Sequence, residues 1–191
     1  MAPARLTPSQ TVGPFFGPAL VRAELEQMVE AETRGARITI AGRIFDGDGA
    51  AVPDAMVEVW QANAEGRYDH PEDRQEKLLD PHFHGFGRFG ADRDGRFRIV
   101  TIKPGAVPGP RMTLQAPHLN LSIFARGLLN RVVTRIYFPG EPLNRTDPAL
   151  NAVPADRRAT LIATRDPSGA GDSYLFDIFL QGDRETVFFD I

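Results

Sequence analysis

From Arg37 onward the apolar residues of this chain fall on alternate positions, and the alternation keeps stopping at turn-forming residues. Ile38, Ile40 and Ile44 are spaced by polar or small residues and run into Asp46-Gly47-Asp48-Gly49. Phe97, Ile99 and Thr101 follow a second such turn, Asp92-Arg93-Asp94-Gly95. Period two turns one face of each segment inward, and glycine supplies the backbone freedom that a tight turn needs. A chain patterned this way folds as short strands. Its 18 Gly and 16 Pro in 191 residues exceed an ordinary combined share of roughly 12% and supply the turns between them.

Further strands are expected from Ala55 to Gln61, from His118 to Ala125 and from Arg131 to Phe138. Tyr174 to Gln181 and Glu185 to Asp190 read as a closing hairpin around Gly182-Asp183. The polar stretch 62–95 is too long for a simple connection and reads as a functional or structured loop. Pro3, Pro8 and Pro14 make residues 1–18 an extended arm. Val21, Leu25, Met28 and Val29 fit a helical period over 19–33, and Pro154 to Thr164 reads as a late helix. The expected fold is all-β: a β-sandwich over 37–191, preceded by a short N-terminal arm over 1–36 and carrying one or two short helices.

Composition removes whole classes of function. The absence of cysteine excludes disulfides, thiolate metal sites, iron–sulfur clusters and thiol nucleophiles. A net charge of −3 gives no basic face for nucleic acid or an anionic membrane. No run approaches the roughly 18 apolar residues of a membrane span, and the start has no apolar signal region, so a cytoplasmic protein is expected.

Few residues offer chemistry. His82-Phe83-His84 is the single His-x-His; in a strand both imidazoles would share a face, but two histidines leave a metal site short of ligands. His118 and Asn120 share a strand face, and Asn120 is a weak neutral donor for a transition metal. The Asp-Gly turns at 46–49 and 92–95 lack the glutamate that closes a calcium loop. No serine has the setting of a nucleophile elbow. Trp60 reads as core, and Arg131 and Arg135 as a solvated face. Arg126 follows the apolar run Leu121 to Ala125; alone it reads as a surface arginine, although an arginine at a strand end can hold a carboxylate with two prongs.

Several blocks taken together resemble the intradiol ring-cleaving dioxygenases. They are Thr7-Pro8-Ser9-Gln10-Thr11-Val12-Gly13-Pro14-Phe15-Phe16, Gly42-Arg43-Ile44, Val57-Glu58-Val59-Trp60-Gln61-Ala62-Asn63 and Gly66-Arg67-Tyr68. Thr101-Ile102-Lys103-Pro104-Gly105, Ala116-Pro117-His118, Arg135-Ile136-Tyr137-Phe138 and Glu185-Thr186-Val187-Phe188-Phe189-Asp190 continue the resemblance along essentially the whole chain. It implies a non-haem Fe(III) held by two tyrosinates and two histidines, at positions that here are Tyr68, Val107, His118 and Asn120. Valine cannot ligate, and an arginine expected three residues before His118 is Gln115. The resemblance therefore implies a non-iron, alpha-type subunit with no metal and no catalytic residue of its own. Its homologous beta subunit would carry the iron, with 3,4-dihydroxybenzoate (protocatechuate) bound at the αβ interface and αβ units built into a higher oligomer. Substrate-binding residues on this chain would be Arg126, Thr11, Gly13 and Pro14. Two rivals remain at this point: a self-sufficient enzyme whose site is rebuilt from Tyr68, His82, His84 and His118, and a metal-free binding or structural module.

Overall fold

The computed structural model describes residues 7–13, 15–169 and 171–190; Pro14 lies outside them. Two sheets face each other across one core. The first is built on β1 (Arg37–Phe45), which pairs antiparallel with β4 (Arg96–Ile102). It also pairs in parallel with β10 (Asp172–Leu175) and then β11 (Ile178–Phe179); β9 (Thr164–Arg165) flanks β10. The second sheet is antiparallel, in the order β3 (Phe86–Gly90), β2 (Met56–Trp60), β7 (His118–Phe124), β8 (Val132–Tyr137). A two-stranded ribbon, β5 (Val107–Pro108) with β6 (Leu114–Gln115), stands beside it.

The alternation does what period two requires. Ile38, Ile40 and Ile44 of β1 and Ile99 of β4 are buried against Val57, Val59, Leu119, Leu121 and Ile123 of the second sheet. Each such side chain contributes about 2 kcal/mol on burial. Gly42 occupies the remaining inward position of β1. A Cβ there would lie 1.8 Å from the carbonyl oxygen of Phe176, so β1 tolerates only glycine where its parallel ladder breaks between β10 and β11. The Asp177 carboxylate accepts the Arg43 N–H at 2.9 Å within this break, where no backbone ladder bond is made. A smaller cluster, Ala116, Tyr137, Leu150, Val153 and Leu161, lies under α3 (Pro148–Ala152).

Five expectations change. The helix over 19–33 is two single turns, α1 (Phe16–Leu20) and α2 (Ala23–Glu26), after which the chain extends and bridges Phe83 through Val29. The arm expected over 1–18 therefore turns helical at Phe16. The late helix expected over Pro154 to Thr164 is a single 3-10 turn, Arg158–Leu161, and α3 precedes it. The C-terminal hairpin is reduced to its turn, where the Thr186 N–H donates to the Phe179 carbonyl at 2.9 Å; before it the segment from Tyr174 runs along β1, and after it Phe189 bridges Val133 on the other sheet. Finally, the long loop contains β3. The three α-helices among the described residues have four or five residues each, and none is long and apolar enough to cross a membrane.

Candidate functional site

The outer face of the second sheet carries a cross-strand row, Phe86–Trp60–Asn120–Arg135, with His118 paired to Tyr137 one step along. Trp60 is thus a half-buried wall residue, not core. The loop after β2 is tied down by buried amides. Gln61 Nε2 donates to the carbonyls of Ala62 and Ile102, both at 3.1 Å, and Asn63 Oδ1 accepts the N–H groups of Glu65 and Arg67 at 3.0 Å. Gly66, at φ +79°, comes so close to the Ala106 carbonyl that a Cβ would sit 2.0 Å from its oxygen. This close crossing puts Tyr68 and Val107 on the same pocket, of about 470 Å³, with Trp60, His70, Pro108 and Gln115 also in its walls.

Tyr68 stacks on Trp60 with centroids 5.7 Å apart, and its hydroxyl oxygen accepts from Asn120 Nδ2 at 3.2 Å. Burial holds its phenol above the ordinary tyrosine range. Beneath it, Arg135 donates to Gln115 Oε1 at 2.7 Å and to the Tyr137 hydroxyl at 3.3 Å, and that hydroxyl donates to Asp147 Oδ1 at 3.1 Å. Arg135 is therefore half-buried in a network and does not line a solvated face; Arg131 is exposed. Burial pushes the Tyr137 phenol up to about 12. His118 is buried, with Nδ1 2.7 Å from the Ala116 carbonyl and Nε2 without a hydrogen-bond partner. Burial first, and the Arg135 charge second, push its pKa down to about 4.

This donor set does not fit a ferric ion. Donation from Nδ1 to a carbonyl leaves His118 Nε2 as a lone pair, the tautomer of a metal ligand. Tyr68 adds one phenol. Val107 offers only methyl groups, and Asn120 turns its amide N–H toward the Tyr68 oxygen. A hard trivalent ion needs more anionic oxygen than one phenol supplies. His82 and His84 do not make up the deficit, since both are turned to Glu30, at 2.9 and 3.4 Å. The pocket offers stacking and hydrogen bonds.

Of the substrate-site residues named from the sequence, Thr11, Gly13 and Arg126 lie toward the far end of β7, and Pro14 lies outside the described residues. Asn120 and Arg126 are six positions apart, about 20 Å of extended chain. There the Gly127 N–H donates to Thr11 Oγ1 at 2.8 Å, and Arg126 pairs with Asp54 at 2.8 Å. The Gly13 carbonyl accepts the Phe16 N–H at 3.2 Å, starting the turn into α1. Thr11, Gly13 and Arg126 are thus gathered at one edge, where Arg126 is half-exposed and Phe15 is 79% exposed. Val21 packs over Gly90 at the same end of the sheet. Asp147 and Glu30 were not anticipated. Asp147 had one signal, the Asp-Pro step that caps α3; Glu30 had none.

Comparison with known proteins fits this geometry. A family model described as Dioxygenase matches residues 12–182, and the chain belongs to that family, the intradiol ring-cleaving dioxygenases, which are iron-dependent. It is 39% identical over 204 residues to the protocatechuate 3,4-dioxygenase alpha chain of Burkholderia cepacia, covering 100% of both chains. It is also 43% identical over 157 residues to the beta chain from that organism, covering 79% of this chain and 67% of that one. Among solved structures, the dioxygenase domain of a carbohydrate-binding fusion protein from Streptomyces sp. SirexAA-E superposes with a TM-score of 0.65. It is 29% identical, over 92% of this chain and 98% of that one.

Proposed function

We propose that this chain is the alpha-type subunit of a protocatechuate 3,4-dioxygenase. A homologous beta-type partner holds the iron and supplies the ring-opening chemistry that converts 3,4-dihydroxybenzoate and O2 to 3-carboxy-cis,cis-muconate. The observation that carries the reading is a separation within one strand. Tyr68 and Val107 line a pocket short of donors, with Asn120 bonded to Tyr68 and His118 two residues before Asn120 on β7, while Thr11, Gly13 and Arg126 gather about 20 Å away at an exposed edge. Residues so placed cannot serve their own chain's pocket; they can complete a cleft on a second chain.

In that cleft the Arg126 guanidinium attracts the substrate carboxylate and fixes the ring's orientation. The Thr11 hydroxyl keeps the arm in place through the Gly127 N–H, and Pro14 belongs to the same arm. Asp54 holds Arg126 until substrate arrives. Assembly of αβ units into a larger oligomer and a cytoplasmic location are part of the same reading.

The test is iron content and visible absorption of the chain purified alone and after co-purification with a beta-type partner. A colourless, iron-free chain that joins a coloured, ring-cleaving complex supports the reading. A tyrosinate-to-iron charge-transfer band in the chain alone would make it a catalytic subunit. No iron in the co-purified complex would leave a binding module.

A further inference from the structure

His82-Phe83-His84 stands apart from both the pocket and the arm's edge. Its backbone is extended: Phe83 bridges Val29, the His84 N–H donates to the Met28 carbonyl at 2.9 Å, and the Glu30 N–H donates to the His82 carbonyl at 3.3 Å. The Thr33 hydroxyl accepts the Glu30 N–H at 2.8 Å and donates to the His82 carbonyl. The Asp80 carboxylate accepts the N–H groups of His82 at 3.0 Å and Arg34 at 2.7 Å. Two segments fifty-two positions apart are thereby fixed against each other.

Phe83 is buried, so the two histidines on either side of it project the other way. They reach opposite oxygens of one carboxylate: His82 Nδ1 is 2.9 Å from Glu30 Oε2, and His84 Nε2 is 3.4 Å from Glu30 Oε1. Glu32 adds a second carboxylate, and ligand atoms of Glu30, Glu32 and His82 all lie within 4.8 Å of one another. Ligands about 2.0–2.1 Å from a tetrahedral ion are separated by roughly 3.3 Å, so Glu30, Glu32 and His82 reach that spacing by side-chain rotation, and His84, 3.4 Å from Glu30, can swing in beside them. One exposed carboxylate needs only one cationic partner, and such pairs contribute little. Two imidazoles converging on it from one tripeptide is the arrangement of a metal centre.

We propose that Glu30, Glu32 and His82, with His84 completing the set, bind a divalent transition-metal ion of the zinc type. Two imidazoles select against calcium and magnesium, which take oxygen, and the absence of thiolate suits zinc over soft copper(I). The sequence lacked ligands for this tripeptide because the missing carboxylates come from the turn that follows Val29. The bound ion staples the base of the N-terminal arm to the loop ahead of β3, and so steadies the segment that carries Thr11 and Gly13.

The test uses the full-length chain in the complex in which it is purified, dialysed against a chelator and titrated with Zn²⁺ by calorimetry. Co²⁺ difference spectra report the coordination geometry. Expected are one Zn²⁺ per copy of this chain, a rise in Tm with zinc, and tetrahedral cobalt bands. His84→Ala and Glu30→Gln should each weaken binding by more than about tenfold. His118→Asn should leave it unchanged. Because His84 is exposed and Glu30 partly exposed, both variants should keep a metal-free Tm close to that of the parent chain; should either unfold, His82→Asn replaces it. Absence of saturable binding, binding indifferent to His84→Ala and Glu30→Gln, or binding lost in His118→Asn would overturn the proposal.

Discussion

Asp147 lies wholly inside the smaller core, its carboxylate accepting from the Ala116 N–H at 2.7 Å, the Leu150 N–H at 2.8 Å and the Tyr137 hydroxyl. All three partners are donors, so an amide cannot replace it without setting one donor against another. Asp147→Asn is expected to cost about 3 kcal/mol, read from urea unfolding. His118 makes the opposite demand, because it must stay neutral. Its folded pKa of about 4 lies below the unfolded value of about 6.5, so the unfolded chain binds the extra proton first. Stability is therefore full above pH 6.5 and falls as pH drops toward 4, by about 2 kcal/mol between pH 7 and pH 5. His118→Asn should flatten that part of the profile; an unchanged slope would assign the acid sensitivity to another group. Arg126 stabilises little through its exposed pair with Asp54. On the proposed function, Arg126→Ala raises KM for protocatechuate in the assembled enzyme while iron content and Tm stay constant. Unaltered steady-state kinetics would remove Arg126 from the substrate site.

Among the elements, strands whose side chains alternate were legible, because burial of one face is written residue by residue in β1, β2, β4, β7 and β8. β3 was not. Its sequence, Phe-Gly-Arg-Phe-Gly, weakens strand propensity with two glycines, and their need is tertiary: a Cβ on Gly87 would meet Met28 at 2.8 Å, and one on Gly90 would meet Val21 at 3.2 Å. The same contacts explain the misread helix over 19–33. Val21 and Met28 are apolar because each covers a glycine of β3, and Val29 because it bridges Phe83; their helical spacing is incidental. At the site, the motif blocks pointed to Tyr68 and His118, and the family resemblance to Arg126. They did not reveal Arg135 as the centre of a buried network, since one strand cannot show what Gln115 and Asp147 bring from elsewhere. Gly42→Ala tests how the C-terminal segment is seated. The added methyl cannot coexist with the Phe176 carbonyl, so residues 172–179 should lose amide-exchange protection and stability should drop by about 3 kcal/mol or more.

For the whole molecule, Phe15, Leu129 and Met112 are respectively 79%, 61% and 101% exposed, and Leu114 is 49% exposed. Large apolar side chains left in water at the arm, at the loop after β7 and on the β5–β6 ribbon fit a chain whose folded surface is completed by another. The isolated chain should self-associate and run heterogeneously on size exclusion, and co-expression with a beta-type partner should give one discrete species. A stable, monodisperse monomer would count against obligate pairing. The sheet has a further consequence, felt before any partner is met. One edge of β1 waits for a segment some 134 positions later in the chain, as the Arg43–Asp177 bond marks. At about 5–20 residues per second a ribosome needs on the order of ten seconds to deliver it. For that time the nascent chain displays an unpaired strand edge, so a vulnerable moment for this protein belongs to translation, and the speed at which the codons between β1 and β11 are read helps to set how much of it survives.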